Sequence, residues 1–200
     1  MMYAPKGKPQ PVVKKNDVKI AAVALEHGHI YGMCNGLTEA GATLKWVYDA
    51  DQNKVAEFQQ RFPDVKVAQS LEQILDDTEI KLVAAAAIPS ERAALGLQVM
   101  AAGKDYFTDK CPFTTLEQLE QVRAFVKQSK QKYMVYYSER LHVECAVYAG
   151  QLIEEGVIGR VLQVLGLGPH RLNAKQRPAW FFEKEKYGGI LCDIASHQFD

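Results

Sequence analysis

The sequence predicts an α/β fold: a doubly wound parallel sheet, with a second domain beginning after it. From residue 18 to residue 138, short apolar segments rich in valine, alanine and isoleucine alternate with segments of helical period. Strands that have no polar face are typical of a parallel sheet covered by helices on both sides. Six such strands fit the doubly wound architecture, in which ligands collect at the carboxyl ends of the strands.

The bulk composition favours a small-molecule ligand. Apolar residues make up 48% of the chain and charged residues 24%, as in ordinary globular proteins. Lysine plus arginine equals aspartate plus glutamate at 24 each, so no net charge favours nucleic acid or an anionic membrane. The four cysteines are scattered without a CxxC pair, which favours free thiols in a reducing compartment over a disulfide framework or a metal site. We therefore expect a cytoplasmic protein, and no apolar segment suits a signal peptide or a membrane anchor.

The first elements follow from pattern and capping residues. The segment VKIAAVA, 18–24, predicts a buried strand, and the next segment of helical period, 30–41, ends on a glycine as helices often do. A second strand is expected at 43–49. The helix predicted at 51–62 begins at Asp51, a favourable N-cap residue.

The same alternation continues through the rest of the sheet. After a short strand at 65–68, Ser70 and Gln73 form a capping-box pattern that opens a helix at 70–77. The remaining predicted elements are strands at 81–88, 105–108 and 132–138, and helices at 90–103 and 115–129.

Changes in composition predict three parts of the chain. Residues 1–16 carry lysines and prolines and predict a flexible N-terminal arm, and residues 17–140 form the Rossmann-like, dinucleotide-binding unit. A helix at 143–155, a strand at 160–168 and a polar, aromatic stretch follow. We therefore expect residues 141–200 to begin a second domain.

The loop after the first strand, LEHGHIYG, stands where dinucleotide folds usually carry GxGxxG. It offers only Gly28 and Gly32, at GxxxG spacing, so a plain turn and a phosphate loop both remain open. His27 and His29 could donate hydrogen bonds to phosphate. Metal binding by these two histidines with Cys34 is the weaker interpretation, and we predict no metal.

Two further strand ends offer candidate cofactor ligands. Asp49 follows the second strand about 20 residues beyond the loop, where an acid accepts hydrogen bonds from the adenosine ribose, although it could also cap a turn. Since no arginine follows it closely, NAD is favoured over NADP. Pro89 and Ser90 begin the helix after the fourth strand and could cap it or contact the cofactor.

The run AAGKDYFTDKCPFTT resembles a segment of the glucose-fructose oxidoreductase and inositol dehydrogenase family (Gfo/Idh/MocA), which carries a Glu-Lys-Pro signature after an Ala-Gly-Lys helix end. Lys110 takes the place of the signature lysine. Asp109 replaces the glutamate and Cys111 the proline, with Pro112 one position later. The resemblance adds Asp109 and Lys110 to the cofactor-binding candidates, although Lys110 could instead be a solvated surface lysine.

The C-terminal run GGILCDIASHQFD places Asp193, His197 and Asp200 four and then three positions apart, so a helix starting near Gly189 would present them on one face. Such a face suits a proton-handling site, and it also suits a half-buried helix end. The run is similar to the motif of the same family in which two glycines, an acid and a histidine stand on a helix at the substrate face. The resemblance extends roughly from residue 18 to residue 200.

The resemblance implies NAD(P)-dependent hydride transfer at a CH-OH carbon of a sugar, a polyol or a related small molecule. His197 would accept the hydroxyl proton, Lys110 would stabilise the developing alkoxide, and Asp193 would orient the histidine or contact substrate. Two alternatives remain open. One is a non-catalytic dinucleotide- or sugar-binding regulator, and the other is an NAD-using glycosidase of the family.

Four residues near the predicted substrate face are candidate substrate ligands. Arg140 follows the sixth strand, although it could make an interdomain salt bridge, and His170 and Arg171 follow the strand predicted at 160–168. Trp180 could stack on a sugar ring or pack in a core. The resemblance also implies that residues 141–200 begin an α+β domain for substrate binding and oligomerisation, whose large open sheet follows this chain. The chain would then be the first half of a longer, homo-oligomeric protein.

Overall fold

A computed structural model describes residues 10–137, 143–168 and 170–199 of the 200-residue chain. Its centre is one six-stranded sheet with the order β3-β2-β1-β4-β5-β6, and every pairing in it is parallel. The predicted fold class is therefore confirmed. The strands are β1 (Lys19–Val23), β2 (Thr43–Tyr48), β3 (Lys66–Val67), β4 (Ile80–Ala85), β5 (Asp105–Asp109) and β6 (Tyr133–Tyr136).

Helices connect these strands and continue beyond them. In the part of the chain that carries the sheet they are α1 (His29–Glu39), α2 (Gln52–Arg61), α3 (Leu71–Asp76), α4 (Arg92–Ala101) and α5 (Leu116–Gln128). Three more follow: α6 (Glu144–Glu154), α7 (Lys184–Tyr187) and α8 (Ser196–Phe199). Short 3₁₀ turns cover Pro89–Glu91, Ala174–Gln176 and Ala179–Phe182, and a π-helical segment covers Leu191–Ala195.

The predicted helix caps form with one change. The Asp51 carboxylate accepts a hydrogen bond from the Asn53 N–H at 2.9 Å, and the Ser70 hydroxyl accepts one from the Gln73 N–H at 3.2 Å. The return bond of the capping box is displaced, because the Gln73 side chain accepts from the Gln69 N–H at 2.7 Å. Both caps satisfy N–H groups that the first helical turn leaves open.

The core consists of two apolar layers, one on each face of the sheet. Alternate residues of β1 point to opposite faces, so Ile20 belongs to the layer with Met33 and Phe58. Val23 belongs to the other layer, with Val99 among its members. Because β1 is buried on both faces, its sequence carries no polar alternation, which explains the continuous apolar run.

The second part of the chain departs from the prediction at 160–168. The structure has no strand there, and apolar side chains such as Leu162 and Leu167 are at least 80% exposed. Among the described residues no neighbouring strand is available to pair with this segment, and an isolated strand is not stable in water. The domain boundary predicted at residue 140 lies outside the described residues.

Part of the predicted N-terminal arm contacts the sheet domain. The N–H groups of Val12 and Val13 donate to the Ala40 carbonyl at 2.9 and 3.2 Å, and the Asn16 N–H donates to the Thr43 hydroxyl at 3.1 Å. These residues therefore lie against the turn that leads into β2. Among the helices of the described residues, none combines the length and the apolar character needed to cross a membrane.

Candidate functional site

A cavity of about 430 Å³ opens beside the carboxyl ends of β1 and β5. The loop after β1, the residue after β5 and the C-terminal part of the chain all contribute to its walls. In a sheet of this order, β2 and β3 lie on one side of β1 and β4 to β6 lie on the other, so the strand order reverses between β1 and β4. Ligands bind at such a switch point. The lining residues are His27, His29, Lys110, Gly166, Leu167, Gly168, His170, Arg177, Phe181, Asp193, Ile194, His197 and Gln198.

Asp109, the last residue of β5, is completely buried. One carboxylate oxygen lies 2.8 Å from His29 Nδ1 and accepts the Lys110 N–H at 2.8 Å, and the other lies 3.2 Å from Arg92 Nη2. Burial favours the neutral acid, but the hydrogen bond from His29 and the positive Arg92 guanidinium outweigh it and lower the pKa of Asp109. Asp109 is therefore a buried carboxylate anion beside the cavity.

Arg92 begins α4 and is only 1% exposed. Its Nε donates to the Ala87 carbonyl at 2.7 Å, and its Nη1 donates to the carbonyls of Lys110 and Cys111. With its Nη2 on Asp109, the guanidinium binds both the side chain and the backbone around the end of β5. Arg92 was not among the residues predicted from the sequence. The available signal was that it is the one charged residue of α4.

Lys110 and Asp193 form an ion pair at the cavity wall. The Lys110 Nζ also donates to the Asp193 carbonyl at 3.1 Å. Lys110 is 6% exposed, so its ammonium is held in place rather than solvated as a surface lysine would be. The two sequence motifs, 83 positions apart, thus meet in one contact.

His197 lies on α8 and lines the same cavity, with its ring 5.7 Å from the ring of Tyr137 in an edge-to-face arrangement. The predicted helix starting near Gly189 forms, but its turn over Leu191–Ala195 is π-helical. Asp193 and His197 both reach the cavity. Asp200 lies outside the described residues.

The two histidines after β1 share Asp109 rather than Cys34. The ligand atoms of His27, His29 and Asp109 lie within 4.8 Å of one another, a spacing that could hold a metal ion. Cys34 is buried in the core, where burial raises the pKa of its thiol to about 12. The interpretation in which Cys34 joins the two histidines in a metal site is therefore wrong.

His27 is neutral at physiological pH. Burial lowers its pKa from the ordinary 6.5 to about 4, although the Asp109 carboxylate acts in the opposite direction. Its Nδ1 accepts a hydrogen bond from the His29 N–H at 3.2 Å, which requires an unprotonated nitrogen.

This lowered pKa predicts a pH dependence of stability. Between pH 6.5 and 4 the unfolded chain binds a proton at His27 that the folded chain does not, so the free energy of unfolding falls as the pH drops through this window. We expect His27→Asn to lose less stability than the wild type between pH 7 and 4, by up to about 3 kcal/mol. Urea unfolding at a series of pH values measures this difference. His170→Asn, at an exposed position, serves as the control, and an unchanged pH profile in His27→Asn would contradict the assignment.

The loop between β1 and α1 is exposed at Gly28, the N-cap of α1. The first N–H of the helix, that of His29, already donates to the His27 side chain, but the space where a Cβ of Gly28 would stand is open. At Gly32 a Cβ would come within 2.9 Å of the Tyr136 hydroxyl oxygen, so a larger residue there would displace the end of the Tyr136 side chain. The Glu26 carboxylate pairs with Lys54, on α2.

Asp49 and the residues after β4 lie at neighbouring strand ends. The Asp49 carboxylate is 6% exposed and accepts hydrogen bonds from the N–H groups of Leu25 and Asp51 at 2.6 and 2.8 Å. It thereby joins the loop after β1 to the start of α2. Pro89 begins a 3₁₀ turn, and the Ser90 carbonyl accepts a hydrogen bond from Gln118 at 2.8 Å.

The predicted substrate ligands separate in space. His170 lines the cavity, whereas neither Arg171 nor Trp180 does, and Trp180 is buried with its ring 6.1 Å from that of Phe181. Arg140 lies outside the described residues. Two other residues of the run RPAWFF, Arg177 and Phe181, line the cavity and were not predicted from the sequence.

Comparison with known proteins assigns both parts of the chain. A family model described as "Oxidoreductase family, NAD-binding Rossmann fold" matches residues 13–137. A second, described as "GFO/IDH/MocA C-terminal domain", matches residues 147–200. The first match alone covers more than half of the chain.

Individual relatives agree with these matches. A D-xylose dehydrogenase of Paenarthrobacter nicotinovorans is 29% identical over 153 residues, which are 74% of this chain and 37% of that protein. A solved Erwinia carotovora atroseptica SCRI1043 protein, described as an oxidoreductase, is 48% identical with a TM-score of 0.87, over 91% of this chain and 54% of that one. Levoglucosan dehydrogenase in complex with NADH and levoglucosan has the same fold, with a TM-score of 0.73 at 23% identity, over 90% and 51% of the two chains. The chain spans about half the length of these solved relatives and just over a third of the xylose dehydrogenase.

Proposed function

Because the chain belongs to the Gfo/Idh/MocA family of oxidoreductases and contains its NAD-binding Rossmann domain, we propose that it is part of an NAD-dependent dehydrogenase. The reaction is hydride transfer between a nicotinamide and a hydroxyl-bearing carbon of a sugar, polyol or related small molecule. The names of two relatives, a D-xylose dehydrogenase and a levoglucosan dehydrogenase, support this substrate class.

The observation that carries the proposal is the meeting of Lys110, Asp193 and His197 at one cavity. Oxidation of an alcohol requires a group that takes the hydroxyl proton and a positive charge that stabilises the alkoxide. A protein that only binds its ligand needs neither. A fixed cation and an imidazole that line one cavity, at the carboxyl edge of a dinucleotide-type sheet, therefore favour catalysis over regulation.

The residues at this edge fit an NAD molecule. The N-terminus of α1 and the open space at Gly28 suit the diphosphate, because the positive end of a helix dipole favours an anion and glycine lets it approach the backbone. Asp49 suits the adenosine ribose, and its negative charge disfavours the additional phosphate of NADP. NAD, when bound, supplies the hydride acceptor for the substrate carbon.

In the proposed reaction each side chain has one task. The substrate carbon loses its hydrogen as a hydride and its hydroxyl loses a proton, so that a C=O bond forms. His197 accepts the proton, and the Lys110 ammonium stabilises the negative charge on the oxygen during the step. Asp193 holds Lys110 in position through the ion pair at the cavity wall.

We also infer that the full-length protein acts in the cytoplasm as a homo-oligomer assembled through a C-terminal sheet. The scattered free cysteines support a reducing compartment. The exposed apolar segment around Leu162 and Leu167 supports the presence of a covering sheet.

The test uses the full-length protein with NAD and a panel of sugars and polyols. We expect calorimetry to detect NAD binding and reduced nicotinamide to appear with at least one member of the panel. Asp49→Asn should weaken NAD binding tenfold or more, because a charged hydrogen-bond acceptor contributes about 1.5–3 kcal/mol. Asp64→Asn, at an exposed position away from the cavity, is the matched control. A folded protein that binds no NAD would remove the proposal.

A further inference from the structure

Arg177 is a half-buried arginine whose guanidinium is only partly used. Its Nε donates to the Leu172 carbonyl at 3.0 Å, and its Cζ lies 4.5 Å from the centre of the Phe181 ring. These two contacts fix the plane of the guanidinium. Throughout the described part of the chain, no carboxylate forms an ion pair with Arg177, and its two Nη nitrogens make no hydrogen bond.

The cavity has more positive than negative charge near Arg177. Its lining contains two residues with a permanent positive charge, Arg177 and Lys110, and a single carboxylate, that of Asp193. Asp193 is already paired with Lys110. Within the described residues, the charge of Arg177 is therefore left without a counter-charge, so its guanidinium is available to an anion that enters the cavity.

We infer that Arg177 is a binding site for an anionic group of the substrate, a carboxylate or a phosphate. This inference rests on the proposed function and narrows its substrate to a sugar acid or a sugar phosphate. The planar guanidinium donates two parallel N–H bonds to either group, and stacking on an aromatic ring keeps that fork in place. A volume of about 430 Å³ accommodates a ligand of this size.

The geometry also separates two tasks within the cavity. Lys110 is bound to Asp193 and suits the oxygen that changes charge during the reaction. Arg177 belongs to the segment before the 3₁₀ turn Ala179–Phe182, so it contacts the substrate from a different part of the chain. An anion bound there orients the substrate without taking part in the proton transfer.

The experiment compares matched neutral and anionic sugars with full-length protein. D-glucose is compared with D-gluconate, D-glucuronate and D-glucose 6-phosphate, both as substrates with NAD and as ligands that raise the melting temperature without NAD. We expect at least one anionic member to exceed glucose tenfold or more in kcat/KM and to raise the melting temperature. A response to D-gluconate or D-glucuronate indicates that the site prefers a carboxylate, and a response to D-glucose 6-phosphate indicates that it prefers a phosphate.

Arg177→Gln should abolish both effects, whereas Arg160→Gln, at an exposed position earlier in the same part of the chain, should keep them. If the anionic sugars shift the melting temperature of the wild type but not of Arg177→Gln, and nothing is turned over, the anion site stands and the proposed dehydrogenase function falls. If no anionic sugar shifts the melting temperature, or if Arg177→Gln keeps the shift, the inference is overturned.

Discussion

Replacing Arg92 with methionine is expected to lower the free energy of unfolding by about 3–5 kcal/mol, the range found when one partner of a buried ion pair is removed. Methionine fills a similar volume but leaves the Asp109 carboxylate buried without its counter-charge. It also removes the hydrogen bonds to the carbonyls of Ala87, Lys110 and Cys111. Urea unfolding of wild type and variant measures the loss.

Two further variants test whether the loss of stability in Arg92→Met comes from the buried charge of Asp109. Arg123→Met removes an exposed arginine that pairs with Glu120 on the surface of α5, so its effect should stay within about 0.5 kcal/mol. In the double variant Arg92→Met/Asp109→Asn the buried charge is gone, and part of the stability should return. A double variant no more stable than Arg92→Met would show that the lost stability does not come from the unpaired Asp109 carboxylate.

Lys110→Met is expected to lower kcat/KM by about two to three orders of magnitude, the usual effect of deleting one group that stabilises charge in the transition state. Its control is provided by the same strand. Lys104 precedes β5 and Lys110 follows it, and the two lysines are 4% and 6% exposed. Lys104 donates instead to the carbonyls of Asp77 and Ile80 at the amino edge of the sheet.

Lys104→Met therefore tests whether the loss of activity in Lys110→Met comes from the position of the lysine at the cavity or only from its burial. It removes an equally buried ammonium, so it should lower stability while the kcat of the folded fraction stays unchanged. Steady-state rates, corrected for the folded fraction at each temperature, separate the two effects. Equal losses of kcat in both variants would mean that Lys110 acts through folding, and its catalytic assignment would be wrong.

The sheet could be predicted because its signal is local. Continuous apolar runs and caps such as Asp51 and Ser70 depend on neighbouring residues, and those interactions survive in the folded chain. The segment at 160–168 has the same apolar composition but no strand, because strand formation requires a partner that composition does not specify. Local pattern was therefore sufficient for the Rossmann domain and insufficient beyond it.

The residues of the candidate site likewise fall into those that the sequence predicted and those that it did not. Lys110, Asp193 and His197 were identified because they stand in motifs, and they line one cavity. Arg92 and Arg177 stand in no motif that was recognised. Their roles depend on contacts between distant segments, such as the 17 positions that separate Arg92 from Asp109. Sequence spacing alone does not reveal a contact of that kind.

Asp109 has a consequence for how ligands influence one another. One carboxylate holds His29 of the loop after β1, the backbone N–H of Lys110 and the guanidinium of Arg92 on α4. A ligand that draws His29 towards itself redistributes the hydrogen bonds of this carboxylate and so changes the environment of Lys110. Thermodynamic linkage makes the effect reciprocal: whatever free energy a ligand at Lys110 gains or loses from occupancy of the loop, the loop ligand gains or loses equally. The buried Asp109 carboxylate is therefore the group through which binding of one ligand would affect binding of the other.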